Sequence, residues 1–544
     1  MDAVVRGRED LGRWLGSQPS DLFDDDRAAL ALMDHHSMST RAEVFHHAGR
    51  VVAGPLDELV RENNLDRNLP EMNSWDGIGY RTNQVRHHPA WWDAGRLIYG
   101  TGIMAAYGED PSPHRAILML FYLTAQAGEA GHNCPLACAA GTIRSLQSLG
   151  TPDQKERYLT RLLDPDFDTN FTASQFLTEV QGGSDVGANA ARAVSTSGDT
   201  SPGSQWTIYG EKWFCSNVDA DAFILTARPE AAPDGTSGLG LFLVPRFCPD
   251  GSLNQYRLRR LKEKLGTRSM ASGELDFEGA YAESLGPVDA GFKNVMELVI
   301  TTSRLYNAAG CAAHARRAWV IASTYAANRQ AFGQPIGRFA QVRETLAWMR
   351  ADAEAALAST LWLAGLLEAI EAGTATDAEA AFFRVAVNLN KLQTAVRAHE
   401  VVNQGIEVLG GNGAIENFSI LPRLLRDNVV YENWEGSHNV LRAQVLRDCH
   451  RLGVHSGFFA VLAEHLGEEE IAADRVEMEA ILKADGDLAE LRFRRLAHRL
   501  ATHVFRAALV QLPELSDAAA MTARHIRELP LDEDYITLVD NLGR

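Results

Sequence analysis

Six cysteines are scattered over 544 residues, which is too few and too dispersed for a disulfide framework. Only Cys134 and Cys138 are neighbours. With no second Cys or His cluster nearby, their four-residue spacing reads as packing on one helix face, and no metal site is expected. Uninterrupted apolar runs of membrane-spanning length are missing. The first thirty residues mix charges with apolar positions instead of forming the apolar core of a secretion signal, so no membrane association and a cytoplasmic location are expected. Positive charge is also in short supply. Lys and Arg number 52 against 71 Asp and Glu, for a net charge of -19, a field that repels nucleic acid and anionic lipid in general. Internal repeats and long low-complexity linkers are absent.

What is present is an ordinary globular composition in a chain too long for one core. Up to about residue 172 apolar residues recur at three- and four-residue intervals, as in "PHRAILMLFYLTAQAGEAG", with Gly and Pro as breaks, which predicts helices. From about Phe176 the texture changes to short aromatic and β-branched runs, "SQWTIYGEKWFCSN", "DAFILTARP" and "GLGLFLVPRF", separated by Gly, Pro, Asp and Ser. Long helical patterns return after Gly291, with Pro335 and the pair Gly410 and Gly411 as stops. The expected architecture is α+β and mostly α. It comprises an N-terminal helical domain (1–175), a central β-barrel or sandwich domain (176–290), a C-terminal four-helix bundle (291–455) and a helical extension (456–544).

Four short elements carry chemistry. "FLTEVQGGSDVGAN" is a strand entry into a Gly-rich turn that allows close backbone approach to a phosphate or planar cofactor. "GEKWFCSN" sets Phe214 two positions from Ser216, an aromatic wall beside one hydroxyl on the same strand face. "RQAFGQPIGRFAQVR" gives a cation and an aromatic before a Gly-Pro break. "EVLGGNGAIENFSILPRLLRDNVVYENWEGS" ends in a carboxylate, Glu435, beside Trp434 and just before a helix.

In this order and spacing the four elements resemble the acyl-CoA dehydrogenase superfamily over about residues 170 to 450. "VRHHPAW", "VPRFCPDGS", "RLKEKLGTRSMAS" and the C-terminal extension resemble its AidB-like branch. The resemblance implies non-covalent FAD, an α,β-dehydrogenation of an acyl thioester, electron-transfer flavoprotein or oxygen as acceptor, and a homo-oligomer, a tetramer, with flavin sites between subunits.

Matched residue by residue, the resemblance places Leu177 and Thr178 at the flavin ring, Ser184 at the pyrophosphate, Phe214 as the ring's wall in place of the usual Trp, and Ser216 near N5. Arg329 and Phe332 fall where the family reaches the FAD of a neighbouring subunit, and Gly410 and Gly411 at its diphosphate end. Glu407 stands where many members carry Gln, and Val180 replaces a Pro. Ser437 and Asn439 match flavin contacts at the helix start, and Arg304 matches an Arg near the substrate's acyl or pantetheine end. Arg426 and Asp427 are expected to brace the catalytic loop by ion pairs.

Glu435 matches the catalytic base, the group that takes the proton α to the thioester carbonyl. Burial beside Trp434 opposes its charged form, while the N-terminus of the following helix favours it. The AidB branch also offers a second reading, a DNA-associated flavoprotein of the alkylation-damage response. Its charge contacts would lie on "LRFRRLAHRLATHVFRAALV", where Arg492, Arg495, Arg499 and Arg506 can share a face. The acidic helices around that segment can pair with those arginines, so the net charge ranks DNA second. A flavin enzyme of the same fold with altered chemistry, such as nitroalkane oxidation or N-hydroxylation, is a third, and the presence of Glu435 argues against it.

Overall fold

The computed structural model describes residues 3–527 and 529–544. Through its first half the chain forms helices α1 (Arg27–His35) and α2 (Ala42–Ala53), a hairpin β1 (Glu71–Trp75) and β2 (Arg81–Arg86), then α3 (Pro89–Tyr99), α4 (His114–Ala125) and α5 (Asn133–Leu149). Seven strands follow: β3 (Ala173–Phe176), β4 (Arg192–Ser195), β5 (Gln205–Ser216), β6 (Ala222–Pro229), β7 (Gly240–Pro245), β8 (Tyr256–Leu261) and β9 (Ser272–Ser284). After them come α6 (Thr301–Asn328), a small hairpin β10 (Gln330–Ala331) and β11 (Gln334–Pro335), then α7 (Ala340–Glu371), α8 (Asp377–Leu409), α9 (Leu421–Asn433) and α10 (His438–Leu452). The extension holds α11 (His455–Leu466), α12 (Glu468–Leu482), α13 (Gly486–Leu509), α14 (Ser516–Ala523) and α15 (Glu533–Leu542).

By contacts the chain divides into two units that cut across its linear blocks. One comprises residues 1–57, 113–128 and 304–544, the other 58–112 and 129–303. The N-terminal helical block is thus shared between them. Its hairpin β1–β2 is a feature that the helical pattern of the region did not announce.

The second unit is built on the sheet. Strands β6, β4, β5, β9 and β7 pair in a ring that the β6–β7 pairing closes, while β3 runs parallel on β6 and β8 antiparallel on β9. Alternation drives the closure. Trp206 and Ile208 on β5 point inward with Phe223, Leu225 and Ala227 of β6, Phe242 and Val244 of β7, and Leu275 and Phe277 of β9. Helix α5 packs against β3.

The first unit is helical. Helix α8 opens on a reciprocal cap in which the Glu379 amide donates to Thr376 Oγ1 (3.2 Å) and the Thr376 amide to Glu379 Oε2 (2.7 Å). It ends where Gly410 adopts φ +63°. Because α8 is buried on most sides, its polar residues must find partners inside. Asn390, for example, accepts from Ser359 Oγ (2.7 Å) and donates to Thr360 Oγ1 (3.1 Å) of α7. Helix α7 is long and apolar enough to cross a membrane by length and composition, and most of that stretch is buried within the protein.

The extension packs α13 against both α7 and α8. Half of its arginine face is paired from within. Arg499 donates to Asp474 Oδ1 (2.7 Å) and pairs with Glu477, and Arg506 pairs with Glu470, whereas Arg494 and Arg495 are exposed.

Candidate active site

The residues singled out in sequence fall into one group on the barrel and one in the helical unit. On the barrel, Leu177 and Thr178 leave β3 partly buried. Their carbonyls are occupied. Leu177 O accepts from Asn189 Nδ2 (2.7 Å), and Thr178 O accepts from the Trp213 amide (2.9 Å). A Cβ on Gly183 would lie 2.8 Å from Thr178 Oγ1, so glycine lets the loop fold back without displacing that side chain. Ser184, in the same loop, is exposed. Phe214 is 52% exposed, with Lys262 Nζ over one face of its ring, 4.6 Å from the centroid. The β5–β9 register shifts between Lys212 and Cys215, yet Cys215 points into the core while Phe214 and Ser216 do not. Ser216 is partly buried, and its carbonyl accepts from the Ser174 hydroxyl. Cys134 and Cys138, packed one helical turn apart, have sulfurs 4.0 Å apart.

Beneath this loop lies a pair that the motif contains but residue types alone did not single out. Lys212, fully buried, donates to Glu179 Oε1 at 2.7 Å. The same carboxylate accepts from the amides of Ala190 (2.6 Å) and Ala191 (3.3 Å) and from Gln181 Nε2 (2.7 Å). Burial pushes the Lys212 ammonium down from its ordinary range while Glu179 holds it up. The pair fastens the far end of the Gly-rich loop to the central strand.

In the helical unit, Glu435 sits in the turn between α9 and α10. It adopts φ +58°, and Gly436 follows at +105°. A left-handed glutamate costs energy that surrounding contacts must offset. Those contacts come from two buried cations. Arg304 donates from Nε to the Glu435 carbonyl (3.0 Å), and Lys391 Nζ donates to the carbonyls of Glu432 (2.9 Å) and Gly436 (3.0 Å). A Cβ on Gly436 would come within 3.1 Å of Leu441. Trp434 is partly buried, and its ring packs on that of Tyr431 at 4.9 Å. Glu435 itself is partly buried.

Arg304, expected at the substrate, has its guanidinium committed elsewhere. It is 4% exposed, and besides the Glu435 carbonyl it donates to Asn388 Oδ1 (2.6 Å) and Gln444 Oε1 (3.0 Å). Burial pushes it down to about 10, against the opposing fields of Glu435 and Asp448. Lys391 is pushed down to about 8, chiefly by burial. Ser437 occupies the cap position of α10 with no side-chain cap bond, and Asn439 is exposed and accepts from Arg442 Nη1 (3.0 Å). Arg426 pairs with Glu416, as a brace on the segment before the loop requires, and Asp427 is buried. Arg329 and Phe332 lie on the β10–β11 hairpin, where Phe332 is 96% exposed at φ +49°. Glu407, Gly410 and Gly411 are exposed at the end of α8, and no atom lies within 4 Å of where a Cβ would sit on either glycine.

Comparison with known proteins shows what this arrangement belongs to. Residues 16–169 match the family model of the adaptive response protein AidB N-terminal domain, 174–280 the acyl-CoA dehydrogenase middle domain, and 289–450 the acyl-CoA dehydrogenase C-terminal domain. The chain is 33% identical to AidB of Escherichia coli K12 over 447 residues, 80% of this chain and 79% of that one. It belongs to the acyl-CoA dehydrogenase superfamily. Acyl-CoA dehydrogenase family member 11 of Caenorhabditis elegans is 32% identical over 435 residues, 78% of this chain and 69% of that protein. The structure of C. elegans ACDH-11 in complex with C11-CoA superposes with TM-score 0.80 at 26% identity, covering 97% of this chain and 92% of that one. This acyl-CoA dehydrogenase is therefore an oxidoreductase on the FAD-binding fold of its family, with an AidB-type N-terminal domain.

Proposed function

We propose that this acyl-CoA dehydrogenase oxidises an acyl-CoA at its α and β carbons, with Glu435 as the base. The observation that carries the reading is the Glu435 turn, a strained left-handed carboxylate whose backbone two buried cations grip. A solvated surface carboxylate would need neither the strain nor the grip.

The residues present suit FAD. On the barrel the backbone after Leu177 and Thr178, the Ser184 and Ser216 hydroxyls and the open face of Phe214 would receive the isoalloxazine and pyrophosphate. By the family pattern Ser437 and Asn439, at the start of α10, are further candidates for flavin contact. From a second copy, Arg329 would meet phosphate charge, Phe332 would cover an aromatic ring, and the unobstructed backbone at Gly410 and Gly411 would approach the diphosphate. Glu407 opposes anionic charge there, so its place is the turn that its carbonyl makes with the Gly410 amide. Bound FAD would supply a two-electron acceptor for the hydride leaving the β carbon as the α proton departs. Glu435 holds that proton at its carboxylate. Arg304 and Lys391 keep the turn in place, and Ser216 orients the hydroxyl side of the ring site. An electron-transfer flavoprotein or oxygen would take the electrons on, and a homotetramer would assemble the shared sites.

The test is anaerobic titration of the holoenzyme with a panel of acyl-CoAs, following loss of the flavin's visible absorption. The wild-type protein should bleach with at least one of them. Glu435→Gln should retain FAD and lose roughly 10²- to 10⁴-fold in the rate of bleaching. A Gln variant that bleaches as fast as wild type would end the assignment of the base.

A further inference from the structure

One group close to the Glu435 turn has no role in the chemistry above except through the backbone. Lys391 sits in the middle of α8 and is fully buried. Three residues before it on the same helix, Asn388 holds Arg304 (2.6 Å). One face of α8 thus reaches the turn twice, directly through Lys391 and through Arg304 by way of Asn388. The carbonyl of Glu432 belongs to the last turn of α9, where carbonyls lack helical partners and the helix end is negative. Lys391 Nζ caps that carbonyl and joins it to the carbonyl of Gly436 on the far side of Glu435. An ammonium that bridges the residues before and after a left-handed glutamate fixes the direction in which the carboxylate leaves the chain.

We propose that Lys391 is a positioning residue for dehydrogenation: by holding the carbonyls of Glu432 and Gly436 together it presents the Glu435 carboxylate in its productive orientation. The inference rests on Glu435 being the base. The charged or titratable groups that face Lys391 are Cys311 and Arg304 on α6, Glu432 on α9, Glu435 in the turn and His438 on α10. Burial lowers the ammonium to about 8, with Arg304 adding to the fall and Cys311, Glu435 and Glu432 opposing it. Below that pH the grip is charge-assisted, and above it a neutral amine holds the carbonyls more weakly.

The experiment compares wild type, Lys391→Met, Lys391→Arg and Glu435→Gln as holoenzymes. It measures anaerobic flavin reduction by the acyl-CoA that bleaches the wild type fastest, across neutral to alkaline pH, together with amide hydrogen exchange of the segment 429–441 without substrate. Lys391→Met should lower the limiting reduction rate about 100-fold, the scale of a misplaced catalytic group. Its substrate concentration for half-maximal rate should change little, and exchange should accelerate in 433–437 without a general rise elsewhere. Wild type should lose rate with a midpoint near pH 8. Lys391→Met should lack that alkaline limb, and Lys391→Arg should restore part of the rate and move the limb to higher pH. If Lys391→Met does not fold, the Arg variant decides alone, because an alkaline limb unchanged by arginine overturns the proposal. Wild-type rate and wild-type exchange in the Met variant overturn it as well. If Glu435→Gln keeps full rate, the base reading has failed; if Glu435→Gln is inactive and Lys391→Met is not impaired, only the positioning role has failed.

Discussion

The Nε of Arg304 lies 3.0 Å from the carbonyl oxygen of Glu435, so a residue placed by family pattern near the substrate braces the peptide of the proposed base. Its other nitrogens reach Asn388 and Gln444, which ties α6, α8 and α10 to one turn.

Arg304→Lys should therefore act on rate more than on substrate affinity. A lysine can replace one of the three contacts and leaves the other acceptors with no donor of matching reach, at a cost of about 1–3 kcal/mol for each buried group left unpaired. Stopped-flow reduction should show a lower limiting rate, by roughly 10- to 100-fold, with half-saturation nearly unchanged. A large rise in half-saturation at constant limiting rate would return Arg304 to the substrate.

The barrel's fastening makes a thermodynamic prediction. Removing one member of a buried pair strands the other charge, at about 3–5 kcal/mol. Lys212→Met should lower stability on that scale. Lys212→Met combined with Glu179→Gln should recover much of it, because glutamine still accepts from the Ala190 and Ala191 amides. Urea unfolding followed by circular dichroism of the three variants gives the coupling. Additive losses in the double variant would show that the ion pair is not the fastening.

Much of this was legible in the sequence, and the exceptions have physical causes. The Gly-rich loop and the turn at Glu435 and Gly436 are legible because each needs glycine at a fixed local position, and local spacing is what a sequence preserves. The strand block is legible because alternation closes a barrel. The partners of Arg304 are not, since Asn388 and Gln444 lie 84 and 140 residues away and only packing brings them in. Lys391 hides for a related reason: in "NLNKLQTA" it reads as one polar position of a long helix, and nothing local says that this helix is buried on that side. The hairpin β1–β2 did leave a signal, the Asp-Gly of "SWDGIGYR", where Asp76 Oδ1 accepts from the amides of Ile78 (2.9 Å) and Tyr80 (2.8 Å). The helical periodicity around it obscured that signal.

Acid should destabilise the barrel unit through His132. This imidazole is fully buried, stacks on Trp91 at 4.4 Å, and lies 2.9 Å from the Trp91 carbonyl through Nε2. Burial pushes it from 6.5 down to about 3. Between those values the unfolded chain binds a proton that the folded chain refuses, so stability falls as pH drops through the window, by up to about 1.4 kcal/mol per unit. His132→Asn should be less stable at neutral pH yet show a shallower acid limb in thermal melts taken from pH 7 to 4. An acid limb as steep as wild type would remove His132 as its source.

Phe332 offers a test in which strain and function pull in opposite directions. Its ring is 96% exposed and its backbone is left-handed at φ +49°, followed by Gly333 at +85°. Such a conformation costs a non-glycine residue of order 1–3 kcal/mol, and within a single copy the ring has only an edge contact with Phe339, 6.1 Å between centroids, to set against it. Phe332→Gly relieves the strain, so an isolated subunit should be as stable or more stable. If the ring covers FAD held by a neighbouring copy, the same substitution should lower FAD retention through dilution and gel filtration by about tenfold or more, the scale of one aromatic contact worth ~1.4 kcal/mol. Light scattering should then show whether assembly weakens along with cofactor. A glycine variant with full FAD content and unaltered mass would mean that the strained ring serves neither the cofactor nor the assembly.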